Sequence, residues 1–423
     1  MFAPKTQKFV VLVPPRDTNR IRQMLNQQGI FDRRRKIAIV EHNNERYAAL
    51  PTVPIEGEVR GMPSEVLVLP LKQCDPWQGG HTRRSPRQQM QHSLLQLVPS
   101  CGSDSLEKAL PKKWEMLQDI ALLPPGSLQQ VLRVLGESAP LSDSTTQEAL
   151  CVIARAIPKC TRLAMQAPID RSLKRHSRAR VVLDLRSAGS VVVHPQISSL
   201  LSNDTGDLDV VLDGWVQHKE NGIVFNLEVQ KCMFCSGNGS EKERVATLAR
   251  QAAEAGRPDV VADMFAGIGY FTLPYLVHGK VQSLTSFEWN DNALEALRRN
   301  LVSNNVKAEV VPGDNTVTCM REEFHDRYTR VNLGLIPTVN DAQLAASVHL
   351  LRHEGGILHV HGNVTRGEEE QFTQHVVQVV SETCESIPQK RALHIESRGL
   401  HKVKNYAPRI AHYVLDVALR TTE

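Results

Sequence analysis

The sequence of 423 residues has neither a long apolar run nor a recognisable leader. No stretch approaches the roughly 20 apolar residues that a membrane-spanning helix requires. The N-terminus, MFAPKTQKFVVLVPPRD, holds only a short apolar run and no small-residue cleavage site, so it predicts a strand rather than a signal peptide. Together with an ordinary hydrophobic content of 41%, these absences predict a globular cytoplasmic protein without a membrane partner.

Regular cysteine spacing is also lacking among the eight cysteines. A disulfide framework would be unusual in so long a chain, so a reducing compartment is favoured. Cys232 and Cys235 form a C-x-x-C pair, but no second Cys or His pair at matching spacing lies nearby. We therefore expect ordinary thiols and no metal, and no Ser/His/Asp arrangement is evident either.

The net charge is small, at +4, and by itself excludes little. Its distribution is more informative, because three basic clusters lie in the first half of the chain. Such clusters are either solvated surface or the footprint of a polyanionic partner. They consist of Arg33, Arg34, Arg35 and Lys36; of Arg83, Arg84 and Arg87; and of Arg171, Lys174, Arg175, Arg178 and Arg180.

The length predicts two or three domains of roughly 150 residues each. Residues 1–71 have the pattern of a small α/β domain, with a strand, a short helix and three further strands. Residues 72–104 are rich in Gln, Ser, Pro, Gly and Arg, which predicts a linker or mobile loop. Residues 105–230 predict a mixed α/β domain that ends in a hairpin with an Asn221-Gly222 turn.

From residue 231 to 423, strands and helices alternate strictly. The strand segments DVVADMF, VQSLTSFEW, AEVVPGD, RVNLGLIP and GGILHVHGNV are separated by helical stretches, and two adjacent strands close the chain. This alternation predicts a parallel, Rossmann-like sheet with helices on both faces. Ligands of such sheets bind at the carboxyl ends of the strands.

A glycine turn follows the first of these strands and opens a helix. Its sequence, DMFAGIGYF, contains Asp263, Phe265, Gly267 and Gly269. The glycines permit a tight turn and a close approach of a ligand to the backbone. The G-x-G-x-x-G fingerprint of dinucleotide sites is missing, because position 272 is Thr, which favours a nucleoside over a pyrophosphate ligand.

Acidic and amide side chains follow the next two strands. Glu288 ends the second strand, where an acid would bind ribose hydroxyls. Asp314 and Asn315 follow the third strand, where an acid or amide could bind an adenine amino group. The alternative is a structural turn with surface acids. The combination favours a nucleoside cofactor.

The same combination resembles class I S-adenosylmethionine-dependent enzymes, and more narrowly the tRNA guanosine N1-methyltransferases and their relatives in wybutosine synthesis. The methyltransferases carry an Asn-Leu-Pro or Asn-Pro-Pro motif after the fourth strand, whose amide orients the target base. Here Gly334-Leu335-Ile336-Pro337 lacks the amide, and Asn332 comes too early. This form is similar to the tRNA wybutosine-synthesising protein 2 family. Further shared motifs are NGI at 221–223, CMF at 232–234, EK-x-RVA at 241–246, GGILH-x-H-x-N at 355–363 and VK-x-YAP at 403–408.

The resemblance implies an enzyme that moves the 3-amino-3-carboxypropyl group of S-adenosylmethionine, rather than its methyl group, to 4-demethylwyosine in phenylalanine tRNA. The domain at 105–230 would contact the RNA, and no obligate protein partner is expected. Two alternatives remain: a tRNA guanosine N1-methyltransferase, and a non-catalytic RNA-binding module on a methyltransferase fold.

The resemblance also implies roles for residues just before the sheet. Lys242 would bind the carboxylate of the cofactor, and Cys235 would lie beside it; the alternative for Lys242 is a solvated helix lysine. Glu241 and Arg244 lie three apart on one helical face. They are either a surface pair or catalytic residues, with Glu241 as the proton acceptor.

Two histidines, His359 and His361, lie two apart in the fifth strand and share a face of it. The pattern favours packed core histidines, and a role near the substrate is the alternative.

Overall fold

The computed structural model describes most of the chain, and contacts divide it into two units, residues 1–85 and 86–423. Among the residues described, no helix is both long and apolar enough to cross a bilayer, and no cluster of His, Cys, Asp or Glu is placed to hold a metal. The described residues are 9–32, 37–42, 45–53, 55, 59, 61–70, 85–166, 177, 179–187, 191–195, 211–232 and 236–421.

The described residues of the first unit form an antiparallel sheet and one α-helix. Its elements are β1 (Phe9–Val13), α1 (Thr18–Gln27), β2 (Ala38–His42), β3 (Glu45–Pro51) and β4 (Leu67–Pro70). The strand order is β2-β3-β1-β4. Val11 and Val13 of β1 pack with Ile21 and Leu25 of α1, so one face of the sheet meets the apolar stripe of the helix. The strands and helix predicted for residues 1–71 are confirmed.

The second unit begins with helices packed on a five-stranded sheet of order β5-β6-β7-β8-β9. Helices and strands both occur between residues 105 and 230, in agreement with the mixed α/β pattern that the sequence predicts there. The elements are α2 (Pro86–Leu97), α3 (Ser103–Ala109), β5 (Glu115–Leu117), β6 (Ile120–Leu123), α4 (Ser127–Ser138), α5 (Asp143–Ala156), β7 (Arg162–Met165), β8 (Arg180–Asp184) and β9 (Val192–Val193).

Part of the segment predicted as a linker is ordered structure. Residues 86–97 form α2, whose Met90 and Leu94 are fully buried in the core with α4 and α5. The polar composition of residues 72–104 did not predict this helix, because only about one side chain per helical turn is buried. Residues 71–84 lie outside the described residues, as do the basic clusters except Arg87 and Arg180.

The hairpin predicted at Asn221-Gly222 joins β10 (Trp215–Glu220) to β11 (Ile223–Glu228). Both turn residues have positive φ, 48° for Asn221 and 78° for Gly222. This is the backbone that a two-residue type I′ turn requires. The prediction is confirmed, and the hairpin packs through Phe225 and Leu227 against α8.

The C-terminal part is a seven-stranded sheet flanked by helices. Its elements are α6 (Gly239–Glu254), β12 (Val260–Asp263), α7 (Thr272–His278), β13 (Ser283–Glu288), α8 (Asp291–Ser303), β14 (Glu309–Pro312), α9 (Asn315–Thr318), β15 (Arg330–Leu333), α10 (Asp341–Leu350), β16 (Gly355–Thr365), α11 (Glu369–Ser386), β17 (Leu393–Ala407) and β18 (Ile410–Thr421).

The strand order of this sheet is β14-β13-β12-β15-β16-β18-β17. The first five strands pair in parallel, and β18 and β17 add antiparallel pairs. Strands β12 and β15 are buried along their whole length, as expected for parallel strands covered on both faces. The Rossmann-like sheet predicted for the C-terminal part is confirmed, and it brings the carboxyl ends of β12, β13, β15 and β16 to one edge.

A buried lysine caps the C-terminus of α10. The Lys390 ammonium donates to the carbonyls of Val348 at 2.7 Å and Leu351 at 2.6 Å, and lies 3.2 Å from that of His349. These carbonyls have no partner within the helix, and a cation there also complements the helix dipole.

We expect Lys390→Met to lower the free energy of unfolding by about 2–4 kcal/mol, because the buried carbonyls lose a charged donor. Urea unfolding followed by circular dichroism measures this. The exposed Lys280, in a 3.7 Å ion pair with Glu254, provides the control, and Lys280→Met should change stability by less than about 0.5 kcal/mol. Equal effects of the two substitutions would contradict the capping role.

Candidate active site

The loop between β12 and α7 is fixed by the side chain of Glu288. Gly267 and Gly269 have φ of 55° and 100°, conformations that favour glycine. The Gly267 N–H donates to Oε2 of Glu288 at 2.7 Å. The other carboxylate oxygen accepts from the N–H groups of Trp289 at 3.0 Å and Asn290 at 2.8 Å. The glycine turn and the acid are therefore in direct contact, while nucleoside binding by them stays a prediction.

The environment of Glu288 has two opposing effects on the ionised form of its carboxyl group. Burial raises the pKa of its carboxyl, and the three backbone N–H donors oppose that effect. Oε1 accepts two hydrogen bonds and Oε2 one, so a lone pair of Oε2 is left to accept a hydroxyl proton from a sugar. Glu288 is thus both a support of the loop and a candidate ribose ligand.

Asp263 lies beneath the loop rather than at its surface. It is fully buried, and its oxygens accept from the Thr272 hydroxyl at 2.8 Å and the Asn332 amide at 3.2 Å. Burial raises the pKa of this carboxyl. Asp263 therefore connects the start of α7 to β15 and supports the loop between β12 and α7. Direct ligand contact by Asp263 stays a prediction.

The residues after β14 are held in structural contacts. Asp314 caps α9, since its Oδ1 accepts from the N–H of Thr316 at 2.9 Å. The Asn315 amide donates to the carbonyl of Met264 at 2.6 Å, which links α9 to the end of β12. Phe265 is half-buried against the core of the sheet. Adenine binding by these residues stays a prediction.

Lys242 is not a solvated helix lysine. Its side chain is 6% exposed, and its Nζ lies 2.5 Å from Oε2 of Glu220 in the hairpin. It also lies over the rings of Phe225 and Tyr270, at 5.0 and 5.4 Å from their centroids. A cofactor carboxylate would share this ammonium with Glu220, a partner that the sequence did not indicate.

Glu241 and Arg244 are not a plain surface pair. Glu241 is buried, and both of its oxygens accept from Arg244 at 2.7 Å. The same guanidinium donates to both oxygens of Asp416 in β18, at 2.6 and 2.9 Å. Burial disfavours the charged form of Asp416, but His359 and Arg244 outweigh it and hold the pKa well below its usual range.

The chain of charges continues through His359. Its Nδ1 lies 2.6 Å from Asp416, and its Nε2 lies 2.7 Å from Nη1 of Arg330. Because arginine can only donate, Nε2 accepts and the proton sits on Nδ1. Burial lowers the pKa of this imidazole. Arg330 then pairs with Asp259 at 2.9 Å. We define the buried charge chain as Glu241, Arg244, Asp416, His359, Arg330 and Asp259.

His361 and His412 form a second buried pair. The Nδ1 of His361 lies 3.0 Å from Nε2 of His412, and the Phe271 ring meets His361 edge-on at 4.9 Å. The other ring nitrogens of both histidines have no hydrogen-bond partner among the described residues. Burial lowers the pKa of His412 to about 4 and that of His361 well below its usual range. Both predicted histidines of β16 are therefore buried.

The loop after β15 is tightly packed at its first position. A Cβ at Gly334 would lie 3.2 Å from the Phe271 ring and from the Asn332 amide. The loop rejoins the sheet where the Asn363 N–H donates to the carbonyl of Pro337. It thus covers the end of β16 next to the histidine pair.

Several of these residues escaped sequence reasoning. Asp416 is a lone acid in an apolar strand, and Arg330 is a lone cation at the start of another, and such residues are seldom buried without a partner. The sequence therefore carries a signal for both residues. Glu220 had no comparable signal. Cys235 lies outside the described residues, while burial raises the pKa of Cys232 to about 12, as expected for an inert thiol.

The strand order, the glycine loop and the acid at the end of β13 define a class I methyltransferase fold. A family model described as the TRM5/TYW2 methyltransferase domain matches residues 216–392. The solved structure of Trm5b from Pyrococcus abyssi superposes with a TM-score of 0.54 at 18% identity, over 97% of this chain and 99% of that one. That likeness shows the fold alone.

Curated relatives show which family within this class the chain belongs to. The tRNA wybutosine-synthesizing protein 2 homolog of Mus musculus is 33% identical over 84% of this chain and 71% of its own length. The chain belongs to the tRNA wybutosine-synthesizing protein 2 family. The tRNA wybutosine-synthesizing protein 2/3/4 of Arabidopsis thaliana is 34% identical over 80% of this chain, and the match spans only 29% of that longer protein.

The histidine pair predicts a pH dependence of stability. The pKa of His412 is about 4 in the folded protein and 6.5 ordinarily, so below pH 6.5 the unfolded chain binds a proton that the folded chain does not. The free energy of unfolding should therefore fall as pH drops from 6.5 towards 4. His412→Gln should flatten that slope by about 1.4 kcal/mol per pH unit. Urea midpoints at several pH values measure it, and an unchanged slope would contradict it.

Proposed function

We propose that this protein transfers the 3-amino-3-carboxypropyl group of S-adenosylmethionine to 4-demethylwyosine, next to the anticodon of phenylalanine tRNA. A ring atom of the base bonds to the γ-carbon of that group, the carbon–sulfur bond breaks, methylthioadenosine leaves, and the base gives up a proton. Membership of the family supports the proposal. The observation that carries it is the Glu288 carboxylate, bound to the glycine loop at the carboxyl edge of the sheet.

In this proposal Glu288 binds the ribose, and Asp314 with Asn315 binds the adenine. The exposed Asp314 carboxylate and the buried Asn315 lie at the end of the neighbouring strand. Phe265 and the glycines line the cofactor, and Asp263 holds the loop in shape through Thr272. Such preorganisation limits the motion of the sulfonium.

Selectivity among the three arms of the sulfonium is positional, because a nucleophile attacks whichever carbon stands in line with it. The amino-acid end must therefore be anchored. In this proposal the Lys242 ammonium binds its carboxylate, sharing it with Glu220, and Cys235 lies alongside. The nearby rings of Phe225 and Tyr270 would keep water from the ion pair.

The proton acceptor is proposed to be Glu241. Its two hydrogen bonds from Arg244 stabilise the carboxylate, and Arg244 is in turn fixed by Asp416. Arg244 acts here as a positioning residue. The Glu241 carboxylate, stabilised by Arg244, would accept a proton from the target base of the RNA only when that base is in contact with it.

Gly334 argues against the guanosine N1-methyltransferase alternative. An asparagine there would have its Cβ 3.2 Å from the Phe271 ring, a tighter contact than side chains normally make. The amide that orients guanosine in the methyltransferases is therefore absent and sterically disfavoured. The non-catalytic alternative is opposed by the intact loop and Glu288, and it predicts no binding of S-adenosylmethionine.

The by-product identifies the reaction. The protein is incubated with S-adenosylmethionine and phenylalanine tRNA carrying 4-demethylwyosine, and the small molecules are separated by chromatography. We expect methylthioadenosine, whereas S-adenosylhomocysteine would mean methyl transfer and overturn the proposal. Glu288→Ala is the control: losing a charged hydrogen bond to the ribose should weaken cofactor binding by about 1.5–3 kcal/mol and suppress either product.

The carboxylate contact is tested with two ligands. Lys242→Met keeps the aliphatic packing but removes the charge, so S-adenosylmethionine should bind more weakly by about 1.5–3 kcal/mol. Methylthioadenosine lacks the amino-acid end and should bind as before. Calorimetric titrations of both ligands measure the difference.

Glu220→Gln provides the matched control, because it removes the partner of Lys242 and leaves the ammonium in place. It should not weaken S-adenosylmethionine binding. If Lys242→Met weakens both ligands equally, or neither, another cation holds the carboxylate.

A further inference from the structure

A cavity of about 730 Å³ opens beside the tip of the β17–β18 hairpin. It is lined by the residues that follow the carboxyl end of β16, including Arg366, and by the tip of the hairpin itself. This places the cavity on the same edge of the sheet as the glycine loop, beyond the loop at 334–337. No residue of the cavity belongs to the site described above.

The charge of the cavity is positive. Arg366, Lys402 and Arg409 line it, against the single carboxylate of Glu369. That carboxylate already accepts from the Gly367 N–H at 2.6 Å and from a tyrosine hydroxyl at 3.3 Å. Among the described residues, Lys402 and Arg409 have no ion-pair partner, and both are exposed. An anion entering the cavity would meet two available cations.

Two β-bulges in β17 direct several of its side chains into the cavity. The pairing with β18 shifts register between Lys402 and Lys404, and again between Asn405 and Ala407. In a regular strand Lys402 and Asn405 would point to opposite faces. Because each bulge breaks the alternation, Lys402, Asn405 and Tyr406 all line one cavity.

An aromatic ring completes the arrangement. Tyr406 is 56% exposed, unusual for so large a side chain. An accessible ring next to unpaired cations is the combination that binds unpaired nucleotides, since the ring stacks on a base while the cations meet the phosphate.

We propose that this cavity binds one unpaired nucleotide of the RNA substrate, beside the nucleotide that is modified. Tyr406 stacks on its base, and Lys402 with Arg409 binds its phosphate. This inference rests on the proposed function, because it assumes an RNA substrate. It assigns part of the RNA contact to the catalytic half of the chain, away from the basic clusters of the first half.

The test compares tRNA affinity over a range of salt concentrations. The double variant Lys402→Ala, Arg409→Ala removes the cations that bind one phosphate, so the slope of log affinity against log salt should become less steep by about 0.7–0.9. Tyr406→Ala should raise the Kd about 5- to 100-fold, and Tyr406→Phe should keep wild-type affinity.

A matched control removes two exposed cations from the opposite edge of the sheet. Arg257 precedes β12 and Lys307 precedes β14, so both lie at the amino ends of the strands. The double variant Arg257→Ala, Lys307→Ala makes the same change in net charge and should keep the wild-type slope. Unchanged S-adenosylmethionine affinity in all variants shows that the fold is intact.

Two outcomes would overturn the inference. One is a cavity variant that binds tRNA with the wild-type Kd and slope. The other is binding of free adenosine monophosphate through Lys402 and Tyr406, with tRNA affinity unaffected by their replacement. Failure of the proposed function is a separate result, because it shows as wild-type protein that releases no methylthioadenosine.

Discussion

The buried charge chain is the constraint on which the C-terminal sheet and its helices depend. Arg244 in α6 binds Asp416 in β18, and through His359 the chain reaches Arg330 at the start of β15. Removing one member would leave a buried charge without its partner, which costs about 3–5 kcal/mol. The chain therefore sets the position of α6 on the sheet, and α6 carries Lys242.

The glycine loop between β12 and α7 depends on a second set of contacts at the adjoining strand ends. Asp263 connects α7 to β15, and Glu288 connects the glycine turn to β13. Each carboxylate accepts from at least two donors, so neither can rotate without losing hydrogen bonds. Such a loop is formed before any ligand arrives, which reduces the entropy that binding must overcome.

Local patterns in the sequence account for most of the fold. Alternation of apolar strands and helices predicted the parallel sheet, and the Asn221-Gly222 pair predicted the hairpin. Contacts between distant residues had no local signature: Arg244 and Asp416 are 172 residues apart, and Lys242 meets Glu220 only once the hairpin has folded. The sequence therefore predicted candidate residues for the site but not their structural partners, and so it left Glu241 open to interpretation as surface.

The outer strands of the large sheet have a consequence for self-association. An unpaired edge exposes a row of N–H and C=O groups that can template pairing with another chain. Here one edge is β14, a strand of four residues that ends in Pro312. The other is β17, which is 15 residues long but is interrupted by three register shifts. The bulges that aim Lys402 and Tyr406 therefore also keep the longest exposed edge from acting as a seed for aggregation.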